Sequence, residues 1–331
     1  MKKILSIDGG GIRGIIPALV LAEIERKTGR PIAELFDLII GTSTGGLLAL
    51  GFGKRSQAGG AQYSARELSE LYEKRGAEIF SRSLWRRMPG YNITDEKYSH
   101  EGLETVLEEY FGDDRLGQLS PNIVVTAYDL HQRDPLFLKS WNTAHRDIRV
   151  RDAARATSAA PTYFEPLPLQ VCENDCALVD GGVFINNPAV SGYAEARRLF
   201  PEEEAFFVLS LGTGQMTRKI PYQDAKDWGQ AAWVIPLLSC MFDGVSDAAD
   251  YQMRQILPEG SYFRLQANLG KRGDPLRAND DMDDASERNI RDLQALAVHL
   301  IHSHAEELKA ICAALTAGGE HAQARRRPDA A

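Results

Sequence analysis

Three short glycine-bearing segments occur in order along this 331-residue chain, and each carries residue types that can take part in catalysis. They are residues 9–14 (GGGIRG), 41–45 (GTSTG) and 180–182 (DGG). Together they supply a loop rich in free backbone N–H groups, a serine between two glycines and a carboxylate. This combination is typical of a hydrolase that attacks esters with serine and uses aspartate, rather than histidine, as its base.

The first segment predicts a loop that stabilises an oxyanion. Glycines lack Cβ and can turn successive N–H groups toward one point, and a helix N-terminus behind them adds partial positive charge. We therefore expect Gly9, Gly10 and Gly11 to act as donors, each worth about 2.7–4 kcal/mol of barrier. Arg13 either adds charge to this loop or is a surface residue.

A dinucleotide site is the alternative interpretation of the same segment, because G-x-G-x-x-G after a strand is also the Rossmann fingerprint. That site needs an acidic residue at the end of the next strand to hold the ribose. Asp37 has about the right spacing but falls at the start of the predicted strand 36–40. The sequence therefore disfavours a nucleotide cofactor.

The second segment has the G-x-S-x-G form of a nucleophile elbow, in which the serine occupies a strained turn between a strand and a helix. The buried strand predicted at 36–40 precedes it, and a small apolar helix is predicted after it. Ser43 is therefore the candidate nucleophile. An inert serine in a glycine-rich turn is the alternative.

No histidine is well placed in the sequence to deprotonate Ser43. In α/β-hydrolases the chain order is serine, acid, histidine. The histidines after residue 180 fall in a predicted C-terminal helix or the tail, and the earlier ones violate the order: His299, His302, His304 and His321, then His100, His131 and His145. Asp180 follows a short apolar strand and is the better candidate, provided that desolvation raises its basicity.

The predicted elements that would position these groups alternate between strands and helices over the first 215 residues, which favours a largely parallel sheet sandwiched by helices. Helices dominate beyond residue 224, and one long helix is predicted over 286–315. We expect one domain over residues 1–316, with a motif-bearing core at 3–215 and a helical remainder at 216–316. Residues 317–331 are predicted to be a disordered tail.

The three segments, together with residues 155–164 (RATSAAPTYF) and 183–188 (VFINNP), resemble the signatures of patatin-like phospholipases. The resemblance covers residues 3–215 well and the remainder loosely. It implies a three-layer α/β/α fold, a Ser43–Asp180 dyad and an oxyanion hole from Gly9, Gly10 and Gly11 with Arg13 in support. It also implies cleavage of acyl esters of phospholipids and related lipids without a metal or organic cofactor.

The composition of the chain limits which partners it can bind and in which compartment we expect it. A net charge of −8 argues against binding to a nucleic-acid polymer. The four cysteines fit a reduced compartment, and Cys172 and Cys176 lack a second pair that would complete a metal site. Without a secretory leader pattern, we expect a cytoplasmic protein that transiently meets lipid at the inner membrane surface. The oligomeric state stays open, with a homodimer among the options.

Two segments bear on access of a lipid. Residues 229–242 contain no charged side chain and are interpreted as a buried helix kinked at Pro236, with a lid, an acyl-groove wall or a membrane-facing patch as alternatives. The arginines of residues 82–87 surround Trp85 and are either solvated or placed to meet anionic headgroups.

Two other functions stay open at this point. One is a storage or binding protein with weak esterase activity. The other is a phospholipase effector of antiphage defence that a cyclic nucleotide activates, since some members of the resembling family work in this way.

Overall fold

The computed structural model describes residues 1–79, 100–215, 219–270 and 276–317. Within these ranges eight strands form one sheet: β1 (Lys2–Ile7), β2 (Leu38–Thr42), β3 (Asn122–Asp129), β4 (Asp134–Lys139), β5 (Leu167–Val171), β6 (Asn174–Asp180), β7 (Phe206–Leu211) and β8 (Tyr262–Leu265). The helices of the first half are α1 (Ile15–Thr28), α2 (Ile32–Leu35), α3 (Thr44–Gly53), α4 (Ala65–Ile79), α5 (His100–Phe111) and α6 (Val150–Thr157). Those of the second half are α7 (Ala189–Leu199), α8 (Tyr222–Ala225), α9 (Gln230–Ile256), α10 (Glu287–Ser303) and α11 (Ala305–Thr316).

The sheet is parallel at its centre and antiparallel at one side. Its strand order is β5-β6-β3-β2-β1-β7-β8, and β4 pairs with β3 off this path. The five strands β3, β2, β1, β7 and β8 run parallel to one another, whereas β4, β5 and β6 pair antiparallel. The carboxyl ends of the parallel strands therefore meet at one edge, where ligands bind in open α/β sheets.

Strands β2 and β6 share one side of β3, and this arrangement brings two of the chemical segments together. Thr42, the last residue of β2, pairs with Thr126, and Asp180, the last residue of β6, pairs with Ala127. Because Thr126 and Ala127 are consecutive, Asp180 lies directly beside the chain that leaves β2.

Alternate strand residues point to opposite faces of the sheet, and each face has its own core. Leu5, Ile39 and Leu209 belong to the larger core, which also contains buried residues of α1, α3, α4, α5, α6, α10 and α11. Ile4 and Ile40 belong to the smaller core, with residues of α7 and α9. The expected α/β fold with three layers and a mostly parallel sheet is confirmed.

The elements near the chemical segments have clear local causes. A capping box opens α4: the Ser64 N–H donates to Glu67, and the Glu67 N–H donates to the Ser64 hydroxyl. Strand β2 differs from the predicted strand 36–40, because it starts at Leu38 and runs on to Thr42, so that the strand leads directly into Ser43.

The single long helix predicted over 286–315 is wrong. The structure has two helices, α10 and α11, that meet at His304, where φ is −111° and ψ is 27°. The His304 ring nitrogen Nδ1 lies 3.1 Å from the carbonyl oxygen of Leu300. A stripe of apolar residues runs along both helices and across the break, because Leu300 of α10 and Leu308 of α11 are both buried in the larger core.

The interpretation of residues 229–242 as a helix is confirmed, but the expected burial is wrong. Gly229 caps α9, which is 27 residues long and includes Pro236. Trp233, Leu237 and Met241 are exposed, at 39%, 49% and 40%. Their four-residue spacing places them on one face of the helix.

Two predictions fall outside the described residues: the arginine-containing segment 82–87 and most of the tail at 318–331. The domain boundary at residue 316 stays a prediction. No helix in the described parts of the chain combines the length and apolar character needed to cross a bilayer.

Candidate active site

Ser43 occupies a strained turn between β2 and α3. Its φ of 55° and ψ of −125° lie in a region that residues with a Cβ rarely adopt, at a cost of about 1–3 kcal/mol. The Ser43 N–H donates to the Thr157 hydroxyl over 3.0 Å. The turn therefore follows the geometry that the G-x-S-x-G pattern predicts.

The two glycines that flank Ser43 are required by close backbone packing. A Cβ on Gly41 would lie 2.0 Å from the carbonyl oxygen of Gly45, and a Cβ on Gly45 would lie 2.2 Å from the carbonyl oxygen of Ile7. Backbone atoms cannot move aside as a flexible side chain can. Any larger residue at either position would push the turn out of place, and Ser43 with it.

Asp180 lies at the end of β6 and is buried, with 4% of its surface exposed. The Gly182 N–H donates to its Oδ1 over 2.7 Å, and the Ser43 side chain is near enough to stabilise the charged form of the carboxyl group. Burial raises the pKa of Asp180 to about 7, although the Ser43 side chain and the Gly182 N–H act in the opposite direction. The structure thus brings Ser43 together with a carboxyl group of unusual basicity.

The glycine loop lies against Ser43, but its three N–H groups are not equivalent. A Cβ on Gly9 would lie 3.3 Å from the Cβ of Ser43, and the Gly9 N–H donates to the backbone oxygen of Asn186 over 3.0 Å. Gly9 therefore differs from the expectation, because its N–H is already engaged. For Gly10 and Gly11 the described residues provide no hydrogen-bond partner for the N–H.

Arg13 is buried rather than on the surface, with 3% of it exposed. Its Nε donates to the carbonyl oxygen of Gly10 over 3.2 Å, and Nη1 lies 3.5 Å from the carbonyl oxygen of Gly214. Burial lowers its pKa, with nearby carboxylates opposing this shift. Arg13 therefore fixes the shape of the glycine loop and places a positive charge behind it.

An ion pair beneath the loop was missed in the sequence. Arg264 donates to both carboxylate oxygens of Asp8, over 2.9 and 2.6 Å, and also to the Ser210 hydroxyl over 2.9 Å. Asp8 follows β1 immediately and is 1% exposed. The only sequence signal was an arginine in the short apolar strand β8. This pair anchors the residue that precedes Gly9.

Three of the histidines that the sequence disfavoured as bases have hydrogen-bond partners away from Ser43 and Asp180. The contacts within the described residues are His131 Nδ1 with the Asp175 oxygen at 2.9 Å, the Lys139 N–H with His145 Nδ1 at 3.2 Å, and His304 with Leu300. None of them involves Ser43 or Asp180.

A small polar cleft lies beside the glycine loop, on the side of α9. Its lining includes Arg13, Asn186, Phe242, Asp243, Ser246 and Asp247. A Cβ on Gly182 would lie 3.3 Å from Phe242 Cε1 and 3.2 Å from Asp180 Oδ1, so the cleft wall and the buried carboxylate meet at this glycine.

The chain resembles one protein family along more than half its length. The model of the family described as patatin-like phospholipase matches residues 5–192. A Pseudomonas aeruginosa protein named "cGAMP-activated phospholipase" is 37% identical over 79% of this chain and 77% of its own length. "Patatin-like protein 4" of Arabidopsis thaliana is 29% identical over 91% and 83%. "Probable inactive patatin-3-Kuras 1" of Solanum tuberosum is 30% identical over 81% and 79%.

Proposed function

Because the chain belongs to the patatin-like phospholipase family of lipid ester hydrolases, we propose that it cleaves acyl esters of phospholipids or related lipids through Ser43 and Asp180. The observation that carries this assignment is the close approach of Ser43, in its strained turn, to a buried carboxyl group whose pKa is raised to about 7. A carboxylate of ordinary pKa is a weak base toward an alcohol, whereas this one is matched to neutral pH.

Acylation begins when Ser43 Oγ attacks the ester carbonyl carbon and its proton passes to Asp180. The carbonyl π electrons move onto oxygen, and the N–H groups of Gly10 and Gly11 are the candidate donors to that oxyanion. When the tetrahedral intermediate collapses, the ester C–O bond breaks and the leaving alcohol takes the proton from Asp180. The products are an acyl-enzyme and a lysolipid or alcohol.

Deacylation repeats these steps with water. Asp180 accepts a proton from water as the oxygen attacks the acyl carbon, and the same donors hold the second oxyanion. Collapse breaks the bond to Ser43 Oγ, which regains a proton, and the fatty acid is released. No step requires a metal or an organic cofactor.

In this proposal Gly9 and Arg13 support the oxyanion hole rather than line it. The Gly9 N–H is bound to Asn186, and Arg13 donates to the Gly10 carbonyl. Both contacts fix the peptide units that carry the Gly10 and Gly11 N–H groups. Since preorganised donors are worth more than mobile ones, this bracing contributes to catalysis without contact with the substrate.

We further propose that this protein, cytoplasmic by our sequence expectation, meets the inner membrane surface through α9. Trp233, Leu237 and Met241 present one exposed apolar face, and no charged residue lies within 229–242. The next residue along, Phe242, lies beside Gly182 at the proposed site. A lipid that enters between this face and the sheet would therefore arrive at Asp180.

The first prediction concerns the two reacting residues. Ser43→Ala should nearly abolish hydrolysis of p-nitrophenyl esters, and Asp180→Asn should lower kcat roughly 10²–10⁴-fold because the proton acceptor is lost. Asp134→Asn, which removes an exposed carboxylate outside the site, should retain the wild-type rate. Thermal unfolding checks that each variant is folded. Full activity of Asp180→Asn would disprove the dyad.

The storage alternative is tested by the same assay. The potato relative carries the word "inactive" in its name, so membership of the family alone does not guarantee turnover. A wild-type kcat at background on every acyl ester would favour storage or binding. Turnover that depends on Ser43 excludes it.

The second prediction concerns the exposed face of α9. Because burial of a large apolar side chain contributes about 1.5–3 kcal/mol, Trp233→Ser combined with Leu237→Ser should weaken binding to vesicles of phosphatidylethanolamine and phosphatidylglycerol at least about tenfold. The matched control is Tyr251→Ser with Ile256→Ser, which changes two exposed apolar residues farther along the same helix. Equal flotation of both double variants with vesicles would refute the membrane face.

A second candidate function adds regulation by a cyclic nucleotide. It is favoured by the Pseudomonas relative, which matches 79% of this chain and is named for activation by cGAMP. In that case Ser43 still attacks the acyl ester, and the bound nucleotide raises the rate of ester hydrolysis.

The third prediction tests that regulation. If this chain is activated in the same way, one member of a panel of cyclic di- and trinucleotides should raise lipid release at least about tenfold, as expected for a coupling free energy of 1–3 kcal/mol. The same nucleotide should bind in isothermal titration calorimetry. Equal lipid release with every nucleotide, and no heat of binding, would rule out the activated effector.

A further inference from the structure

The polar cleft beside the glycine loop is lined by opposite charges that do not pair with each other. Arg13 and Asp243 both line it, and each affects the pKa of the other. Within the described residues, however, no ion pair joins their side chains within 4.0 Å. A cation and a carboxylate therefore face the same space with a gap between them.

The positive charge lies at the catalytic end of this space. Arg13 is bonded to the Gly10 carbonyl, and the Gly10 and Gly11 N–H groups are the proposed oxyanion donors. An anion held near Arg13 would thus lie close to the ester under attack. In a phospholipid the phosphate is the group separated from the ester by only the glycerol carbons.

The negative charge lies on α9. Asp243 is half-buried, and among the described residues its carboxylate has neither a hydrogen-bond donor nor an ion-pair partner. Asp247, one turn later, also lines the cleft and accepts only a long 3.4 Å bond from Gln215. Two carboxylates four residues apart on a helix repel each other, so this end of the cleft favours a cation.

The two ends are connected through the wall that touches the proposed site. Asn186 binds the Gly9 N–H through its backbone oxygen, and its side-chain Nδ2 donates to the Ser246 hydroxyl over 3.0 Å. Ser246 lies between Asp243 and Asp247 on α9. The cleft therefore extends from the glycine loop, which lies against Ser43, to the acidic turn of α9.

We propose that this cleft is the headgroup subsite and that it selects zwitterionic phospholipids, with the phosphate toward Arg13 and the ammonium group at Asp243 and Asp247. The inference rests on the proposed function, because it places the ester at Ser43. Phosphatidylethanolamine fits both ends of the charge pattern, whereas the headgroup of phosphatidylglycerol brings no cation to the two carboxylates. A cyclic dinucleotide, which carries two phosphates, would meet the same carboxylates and fits poorly here.

The test compares hydrolysis of two short-chain lipids, dihexanoyl phosphatidylethanolamine and dihexanoyl phosphatidylglycerol, as monomers in solution. Monomeric substrates remove any contribution from membrane binding. We expect the wild type to favour the ethanolamine lipid in kcat/KM by about tenfold or more, the size of one hydrogen-bonded contact to a charged group. Asp243→Asn should lower this ratio at least about fivefold, mainly through the KM of the ethanolamine lipid. Asp243→Lys should reverse the preference.

Asp224→Asn is the matched control, because it removes an exposed carboxylate in α8, outside the cleft lining. Its ratio of kcat/KM values for the two lipids should equal that of the wild type. This result would show that the effect of Asp243→Asn comes from a local contact and not from the change in net charge. If the Asp243 variants do not fold, Asp247→Lys carries the test, since Asp247 is exposed and a lysine there should lower the same ratio.

The outcomes separate this inference from the proposed function. A wild type that hydrolyses neither the two lipids nor a p-nitrophenyl ester would overturn the proposed function. A wild type that hydrolyses all three without a headgroup preference would overturn the subsite alone. So would a preference that folded Asp243 or Asp247 variants leave unchanged.

Discussion

The proposed chemistry depends on one backbone constraint, the left-handed conformation of Ser43 at the end of β2. The chain can turn there only because Gly41 and Gly45 let backbone atoms pass where a Cβ would be within about 2 Å of a carbonyl oxygen. The strained backbone at Ser43 is kept in place by the packing of a fully buried strand before it and a buried helix after it. The serine therefore stands at the carboxyl edge of the sheet, next to the end of β6.

Three buried charged groups surround this turn, and their different partners account for their different roles. Asp8 is neutralised by two hydrogen bonds from Arg264 and acts as an anchor. Arg13 binds backbone oxygens and braces the glycine loop. Asp180 receives a hydrogen bond from Gly182 and is stabilised by the nearby Ser43, which only partly offsets its desolvation, so that its pKa rises to about 7. An ion pair at Asp180 would oppose this rise, as Arg264 does at Asp8, and would make the carboxylate a weaker base.

The sequence was sufficient for the residues whose position follows from local backbone chemistry. A serine between two glycines after an apolar strand predicts the strained turn at Ser43. An aspartate before two glycines predicts the end of a strand, and in the structure this strand, β6, pairs with β3. The histidines could be set aside by chain order alone. In each case the prediction depends on residues that are close together in the sequence, so it does not require knowledge of the fold.

The errors came from contacts between distant segments. The engagement of the Gly9 N–H depends on Asn186, and the anchor of Asp8 depends on Arg264, far along the chain. The composition of the apolar start of α9 is that of a core, which predicts burial, yet Trp233 and Leu237 are 39% and 49% exposed. The break at His304 was invisible because the apolar stripe continues through it.

The central claim is that Asp180, with its raised pKa, is the base that activates Ser43. The most direct measurement is the pH dependence of kcat/KM for a p-nitrophenyl ester from about pH 5 to about pH 9, with spontaneous hydrolysis subtracted. Because the base must be deprotonated to accept the proton, the account predicts a rate that rises with pH through a single pKa of about 7 and then reaches a plateau. A rate already at its plateau at about pH 5, as expected for a carboxylate of ordinary pKa, would contradict it.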